Sequence, residues 1–354
     1  MKIRPISPWL IAALSCFLLI VFLRGALAVL PKSATLHSGT VEGSLLLAGK
    51  EQTVSLPGSS NVSSKLVALL SFVPDGGKKA VPLVAAMIEN HEDARAYQQG
   101  LKEALIVFEL IAEGDITRFL AVFRADKLPK LIGPVRSLRE HFVSIALGYK
   151  PLLLHIGGHP LAYEALENNP ALLHHDGIRY DGQTYHRDTE ASAPHNLFMS
   201  KEPLQELLKK TKLALFSLPL FAIGSLPSTE GEKAQTIEMN MGSPLHDVTY
   251  NYRSLQNGYI RSIEGSSRQA QPSTIAILEA TVDGFNQAGY IPWTNTTAGG
   301  KMLLFRNGKV FKGTWKREKG KPFVFLDSKG EILPVTRGQV WVTMLPMLSM
   351  VTWE

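Results

Sequence analysis

Residues 81–88 read Val-Pro-Leu-Val-Ala-Ala-Met-Ile, a near-continuous apolar run that starts soon after the turn signal Pro-Asp-Gly-Gly at 74–77. Runs without polar alternation are typical of strands buried on both faces of a sheet. Three more runs of this kind follow, at 104–112, 118–123 and 151–156. The repeated pattern predicts a largely buried sheet.

Amphipathic segments accompany these runs at 134–148, 160–168 and 201–211, and their apolar spacing predicts helices. Apolar strands that alternate with such helices are typical of an α/β arrangement. We therefore predict an α/β domain over residues 79–230, with a mixed, largely buried sheet and flanking helices.

The pattern changes within residues 212–232, where prolines, glycines and polar residues interrupt the apolar periodicity. The dipeptide Asn-Gly then separates strand-like stretches at 257–258 and again at 307–308, which indicates two β-hairpins. We predict a small antiparallel β domain over residues 231–354, which makes the chain α+β overall.

The 354 residues are 45% hydrophobic and 19% charged, which is the composition of a folded protein rather than a disordered one. The 37 Lys and Arg residues against 31 Asp and Glu give a net charge of +6. No dense basic run is present in the sequence, so nucleic acid is not an expected partner. The single cysteine, Cys16, excludes an intramolecular disulfide and a cysteine-based zinc cluster.

The N-terminus places two basic residues, Lys2 and Arg4, before an apolar stretch at 9–23, which is the layout of a secretory signal. Two interpretations stay open. Residues 9–30 are long enough to cross a membrane once as a signal anchor, or cleavage after Ala28 releases the rest of the chain. In both cases the globular part lies on the outer side of the membrane.

Cys16 lies inside the apolar stretch rather than at its end, which disfavours a lipid-modified cysteine at this position. Residues 31–78 are rich in Ser, Gly, Thr and Lys, with short apolar islands. We predict that they form a tether with one or two short strands.

A helix is predicted to begin at Pro134, because Gly133 and Pro134 suit a cap and a first helical position. Arg136, Ser137 and Arg139 would fall in its first turn, where free backbone N–H groups and guanidinium forks favour a phosphate or carboxylate. The alternative is structural pairing of the arginines with carboxylates. The candidate carboxylates are Glu109, Glu113 and Glu140.

Glu109 and Glu113 are the candidate catalytic carboxylates. On a strand they would share a face about 13 Å apart, too far for an acid/base pair acting on one bond. On a helix they would stack about 6 Å apart and could form a glycosidase-like pair. The surrounding β-branched residues favour the strand, so ion pairing is the expected use. The expected partners are Arg118, Arg136 and Arg139.

The segment His-Ile-Gly-Gly at 155–158 leaves the end of an apolar run, which is where ligands bind in α/β sheets. Its glycines let a ligand approach the backbone, so His155, Gly157 and Gly158 are candidate contacts. Asn90 follows the first apolar run and is a further candidate, although turn chemistry explains its position equally well.

A metal site is a weaker hypothesis. His155 or His159 could share an ion with a further histidine, the options being His174, His175 and His186. No pair of histidines has the helical spacing with an intervening Glu that is typical of zinc enzymes, so we expect no metal and no cofactor.

Tryptophans are frequent in the C-terminal half, at positions 293, 315, 341 and 353. Aromatic residues on strands usually lie in the core, but an exposed set forms a stacking platform for sugars. Both interpretations stay open.

Several segments together resemble the YerB-like family of bacterial surface proteins. They are residues 85–91, 109–119, 132–139, 155–158, 308–315, 327–330 and 338–346. The resemblance implies a domain of unknown function followed by a separate C-terminal domain, and many members resemble lipoproteins. It carries over no activity, cofactor or catalytic residue.

These observations favour a non-enzymatic envelope protein, tethered outside a bacterial cell membrane, that binds an anionic ligand such as a wall-polymer or lipid-linked phosphate. The candidate ligand contacts are Arg118, Arg136, Ser137, Arg139, His155, Gly157, Gly158 and Asn90. One alternative is an enzyme of envelope polymers, either a glycan hydrolase using Glu109 or Glu113 or a phosphate-handling transferase. The other is a scaffold for unknown protein partners.

Overall fold

The computed structural model describes residues 31–37, 40–47, 50–57, 80–113, 116–218, 220–226, 230–263, 266–284 and 292–354. The chain forms two compact units, residues 1–78 and 79–354. In the first unit three strands form an antiparallel meander, where one or two short strands were predicted. They are β1 (Pro31–His37), β2 (Thr40–Leu47) and β3 (Lys50–Pro57).

The predicted membrane segment at 9–30 lies outside the described residues. Within the described ranges, no helix has the length and apolar character needed to cross a bilayer.

The second unit is rich in strands. In chain order these are β4 (Leu83–Glu89), β5 (Ile106–Glu113), β6 (Ile116–Arg124), β7 (Leu131–Ile132), β8 (Leu152–His155), β9 (His174–Asp176), β10 (Tyr185–Arg187), β11 (Leu197–Ser200), β12 (Glu232–Lys233), β13 (Thr236–Met239), β14 (Val248–Arg253), β15 (Gly258–Ile263), β16 (Ser266–Ala270), β17 (Thr274–Glu279), β18 (Val282–Asp283), β19 (Trp293–Thr294), β20 (Ala298–Arg306), β21 (Lys309–Arg317), β22 (Val324–Leu326), β23 (Val340–Leu345) and β24 (Val351–Trp353). The helices are α1 (Glu92–Arg95), α2 (Glu140–Tyr149), α3 (Pro160–Glu167), α4 (Gly177–Tyr180) and α5 (Lys201–Lys210).

One mixed sheet of eleven strands dominates this unit, in the order β12-β21-β20-β17-β23-β5-β6-β4-β8-β9, with β22 paired to β21. Strands β4, β5, β8, β9, β17 and β23 run in one direction, and β6 lies antiparallel between β5 and β4. The four apolar runs became β4, β5, β6 and β8, as predicted, because both faces of these strands are buried.

Two hydrophobic cores flank the main sheet. On one face Val84 and Val107 pack in a cluster with Tyr250 of a five-stranded antiparallel sheet, whose order is β16-β15-β14-β13-β24. On the opposite face Leu83 packs with Phe142 of α2. Because successive residues of a strand point to opposite faces, Leu83 and Val84 serve different cores.

The sheet joins the two halves of the chain that the sequence separates. Strand β23 pairs in parallel with β5, from Val340 beside Ile106 to Thr343 beside Glu109. The mixed, strand-rich character was predicted, and both Asn-Gly hairpins formed as β14–β15 and β20–β21. The arrangement as an α/β unit followed by a small β unit is not confirmed, since β23 is buried on both faces and completes the sheet of the first half.

The predicted helix at 134–148 is shorter than expected, and begins at Glu140. The preceding segment is extended and its backbone bonds to other elements: Val135 N donates to Leu197 O, and Arg136 N donates to Met87 O. These tertiary hydrogen bonds replace the helical ones. Arg136 therefore lies outside the helix and Arg139 is its N-cap residue, which corrects the prediction that both project from the first turn. The helices at 160–168 and 201–211 formed within one residue of the prediction.

Candidate functional site at the carboxyl edge of the main sheet

The carboxyl ends of the parallel strands meet at one edge of the main sheet. Four strands from the first half of the chain end there at an ionisable residue. Strand β4 ends at Glu89, β5 at Glu113, β8 at His155 and β9 at Asp176. Arg118 lies near the start of the antiparallel β6, at the same edge. Open α/β sheets bind their ligands at this edge, which makes it the candidate site.

An extended segment crosses the edge and carries the other two arginines. Glu89 N donates to Pro134 O, and Ile156 N donates to Arg136 O, so the segment is held between the ends of β4 and β8. Leu138 N also donates to Gly157 O. The backbone thereby fixes residues 136–139 above the strand ends.

Glu113 joins two of the predicted arginines. Its Oε1 accepts from Arg118 Nη2 at 2.5 Å, and its Oε2 accepts from Arg139 Nη2. Burial alone would raise the pKa of Glu113, but the charges of both arginines and their hydrogen bonds outweigh it and lower the pKa to about 2. Arg118 also donates from Nη1 to the carbonyl of Ser137 at 2.9 Å. Glu113 is therefore ionised at neutral pH, and its ion pairs link β5, β6 and the start of α2.

Glu89 forms a second ionic contact, which the sequence did not suggest. The Nε of Arg136 lies 2.5 Å from Glu89 Oε2, and Nδ1 of His195 lies 2.9 Å from the same oxygen. Glu89 is 2% exposed, whereas the side chain of Arg136 is 19% exposed. Among the described residues, the two terminal nitrogens of Arg136 have no hydrogen-bond partner. Of the three arginines, Arg136 has the most exposed side chain, at 19% against 1% for Arg118 and 10% for Arg139.

Glu109 lies on the opposite face of the sheet. It is fully buried and accepts hydrogen bonds from Arg261 Nη2 at 2.6 Å, Thr117 Oγ1 at 2.8 Å and Trp341 Nε1 at 2.8 Å. Glu109 bonds to Thr117 and Glu113 bonds to the next residue, Arg118, so the two glutamates face opposite sides. A register shift between Ile111 and Glu113 causes this reversal, which corrects the predicted shared face.

Asn90 belongs to the same buried network as Glu109. Its Nδ2 donates to Thr117 Oγ1 at 2.7 Å, and the residue is 1% exposed. In this structure the hydrogen bonds of Asn90 therefore serve the core.

His155 is fully buried, and both of its ring nitrogens have partners: Nδ1 bonds to Gly157 O at 2.8 Å, and Nε2 to His174 Nδ1 at 3.0 Å. Burial lowers the pKa of His155, which favours the neutral ring. Gly157 N donates to Asp176 Oδ1 at 2.8 Å, and a Cβ on Gly158 would lie 3.3 Å from Leu138. These residues hold the crossing segment against β8 and β9.

A cavity of about 270 Å³ lies beside α2 and α3. Trp293 is on its wall and is 38% exposed, whereas Trp315 and Trp341 are core residues at 1% and 0% exposure. Two buried polar atoms of lining residues, His141 Nε2 and Thr294 Oγ1, have no hydrogen-bond partner among the residues that the structure describes. Trp353 is half-buried and packs edge-on against Phe305, so Trp293 is the most exposed of the four tryptophans in this half.

Comparisons with known proteins agree with this fold. Residues 73–214 match the model described as "Protein of unknown function (DUF3048) N-terminal domain", and residues 237–342 match its C-terminal domain. The chain is 32% identical over 277 residues to "Putative lipoprotein YerB" of Bacillus subtilis (strain 168), covering 75% of this chain and 82% of that one. The chain belongs to the YerB-like family. The crystal structure of YerB from Bacillus subtilis is similar to this YerB-like chain with a TM-score of 0.69 and 30% identity, covering 79% of this chain and 97% of that one.

Sequence reasoning on this YerB-like chain missed Glu89 and Arg261. Glu89 ends an apolar run just as Glu113 does, so its position at a strand end was a usable signal. Arg261 carried no such signal, because it lies on an ordinary alternating strand and meets Glu109 only in the folded chain.

Proposed function

We propose that this YerB-like chain is a non-catalytic binding protein on the outer side of a bacterial membrane, and that Arg136 contacts an anionic group of its ligand. The location is supported by the secretory layout of the first 30 residues and by the relative whose name describes a lipoprotein.

The observation that carries the proposal is the asymmetric environment of Arg136. Its Nε lies 2.5 Å from the buried carboxylate of Glu89, and its two terminal nitrogens make no hydrogen bond within the described residues. A guanidinium held from one side presents a planar pair of N–H donors on the other, which suits the oxygens of a phosphate or carboxylate. Arg118 and Arg139 support this role indirectly, since their bonds to Glu113 hold the edge in place.

The carboxylates of the enzyme alternative lack the properties of a catalytic pair. A general acid at neutral pH needs a raised pKa, whereas the pKa of Glu113 is lowered to about 2. Glu109 is fully buried and already accepts three hydrogen bonds. Both observations favour binding over hydrolysis. The scaffold alternative stays a prediction.

Binding to the full chain in detergent tests the proposal, with Arg136→Gln as the variant. The probes are a soluble poly(glycerol phosphate) for a wall polymer, vesicles containing a polyprenyl phosphate for a lipid-linked source, and an uncharged polymer of matched length. We expect Arg136→Gln to weaken binding of one phosphate probe by about tenfold or more, since a charge-assisted hydrogen bond is lost. Arg179→Gln, which removes an exposed arginine of α4 near the same edge, is the matched control. Equal losses in both variants would leave only general charge attraction and reject the proposal.

The cavity beside α2 supports a second candidate function, recognition of an amino sugar. The exposed ring of Trp293 offers a stacking surface, and the side-chain amide of Asn168, which makes no hydrogen bond within the described ranges, can pair with an N-acetyl group. Trp293→Ala is expected to weaken binding of N-acetylglucosamine oligomers roughly two- to tenfold. Val324→Ala, at an exposed apolar residue of β22, is the control. Unchanged affinity in Trp293→Ala would remove this candidate.

A further inference from the structure

We infer that His91, Asp93 and His195 form a binding site for a divalent transition-metal ion of the zinc class, with Glu89 as the outer partner of His195. One potential ligand atom from each of the three residues lies within 4.8 Å of the other two. His91 and Asp93 lie at the start of α1, and His195 lies in the loop before β11. The fold thus brings together residues that are about a hundred positions apart.

The two imidazole rings already have the separation that a shared ion requires. Their centroids are 4.9 Å apart with an interplanar angle of 27°. Two histidines on one tetrahedral zinc, with Zn–N bonds near 2.0–2.1 Å, place their ring centroids roughly 5 Å apart. The carboxylate of Asp93 can adjust to an ion, because its side chain is 71% exposed and can rotate without disturbing the core.

Glu89 gives His195 the protonation pattern of a metal ligand. Its Oε2 lies 2.9 Å from His195 Nδ1, and a carboxylate can only accept, so Nδ1 carries the proton and the Nε2 lone pair is left for an ion. Metal-ligating histidines usually donate their second nitrogen to a carboxylate in this way. Glu89 is itself 2% exposed and is held by Arg136, which keeps the ring of His195 in a defined orientation.

The Nδ1 atom of His91 is a hydrogen-bond acceptor that lies close to two carboxylate oxygens. Its Nδ1 accepts a long hydrogen bond, 3.3 Å, from the backbone N of Asp93, and two carboxylate oxygens, Glu92 Oε2 and Asp93 Oδ2, each lie 3.6 Å from it. A ring lone pair and two negative oxygens at this distance attract a cation. Three protein ligands leave a fourth position open, as in zinc sites that bind a further oxygen ligand.

The histidine cluster at His155 differs in this respect. His155 uses Nδ1 for Gly157 O and Nε2 for His174, so neither nitrogen is available without breaking a buried hydrogen bond. In the trio at His91, the hydrogen bond that an ion would displace, from Asp93 N to His91 Nδ1, is long at 3.3 Å and lies at the surface, and a buried carboxylate stands behind His195.

Metal binding by the untagged full chain in detergent tests the inference directly. After chelator treatment, Zn²⁺ is titrated against a chromophoric chelator, and one equivalent per chain is expected. Asp93→Asn changes an exposed side chain and should lower the affinity at least about tenfold, and His91→Gln by more. His159→Gln is the matched control, because His159 caps α3 through Nδ1 as His91 caps α1.

A second measurement separates coordination from folding. Glu89→Gln keeps the side-chain size and should weaken Zn²⁺ binding roughly 10- to 100-fold, the usual range for the outer partner of a ligating histidine. X-ray absorption of the Zn²⁺-loaded wild type should report two imidazole ligands, and far-UV circular dichroism establishes that each variant is folded. Absence of stoichiometric binding in the wild type, or equal affinity in Asp93→Asn, His91→Gln and His159→Gln, would overturn the inference.

Discussion

Glu89 lies behind Arg136: the carboxylate Oε2 is 2.5 Å from the guanidinium Nε, with Glu89 2% exposed and Arg136 19% exposed. A buried carboxylate at the end of β4 thus contacts a partly exposed guanidinium. The same oxygen orients His195, so one carboxylate positions both an anion-binding candidate and a metal-binding candidate. Glu89 is therefore the shared contact of these two candidate sites at the carboxyl edge of the sheet.

The buried pair of Glu109 and Arg261 should be essential for stability. Both side chains are fully buried, so Glu109→Gln leaves the guanidinium without its counter-charge. We expect a loss of about 3–5 kcal/mol in the free energy of unfolding, measured by urea denaturation. Glu109→Leu combined with Arg261→Met should lose less than the sum of the single changes, because no charge is then left unpaired. Additive losses would contradict this account.

Glu113 should stabilise the protein only above acidic pH. Its pKa is about 2 in the folded chain against 4.5 in the unfolded reference, so the native state favours the charged form. This contribution is complete above about pH 4.5 and is lost as the pH falls towards 2. At pH 7 we expect Glu113→Gln to be about 1–3 kcal/mol less stable than wild type, a range reduced for partial exposure of the carboxylate.

Chemical denaturation of both proteins between pH 7 and pH 2 measures this difference. The two unfolding free energies should converge as the pH approaches 2. A difference that stays constant over this range would assign the loss to packing rather than to charge.

His141 should act in a separate pH window. Burial, followed by the charges of Arg139 and Arg118, lowers its pKa from 6.5 to about 3. The unfolded chain therefore binds a proton at a higher pH than the native chain, and stability should fall as the pH drops from about 6.5 towards 3. His141→Gln should show a shallower decline between pH 6.5 and 5, where the contribution of Glu113 stays constant. An identical slope in wild type and variant would show that His141 does not contribute.

The first half of the chain should not fold without the second. Truncation after residue 230 removes β23, which leaves β5 as an open sheet edge, and removes Arg261 and Trp341 from the buried carboxylate of Glu109. We expect the truncated chain to aggregate or to lack cooperative thermal unfolding by circular dichroism. A soluble fragment with a sharp transition would instead establish residues 79–230 as an independent domain.

Local sequence patterns anticipated many of the elements. Apolar runs gave β4, β5, β6 and β8, Asn-Gly dipeptides gave two hairpins, and amphipathic spacing gave α3 and α5. Each of these signals lies within a few neighbouring residues. The start of α2 was misplaced, because Pro134 suits a first helical turn but its segment bonds to β4 and β11 instead.

The ion pairing expected for Glu113 formed, whereas other charged partners at the site had not been expected. Sequence reasoning expected ion pairs between Glu113 and the arginines, and the structure contains them with Arg118 and Arg139. It placed Glu113 and Glu109 on one face, because a single-residue register shift in β5 leaves no local signature. The sequence also did not indicate that Glu109 pairs with Arg261. Many basic residues are available as partners, and the pairing follows from the burial of both side chains in the folded chain.

The sequence by itself determined the strand-rich second unit, its hairpins and the chemistry available at the strand ends, because hydrophobic periodicity and turn residues act over short distances. Only the tertiary structure decided that β23 completes the sheet of the first half, that Glu89 holds Arg136, and that His91 meets His195. The physical reason is that distant segments compete for the same buried positions, and this competition selects strand partners and ion pairs. A local sequence pattern does not indicate which segment will occupy such a position.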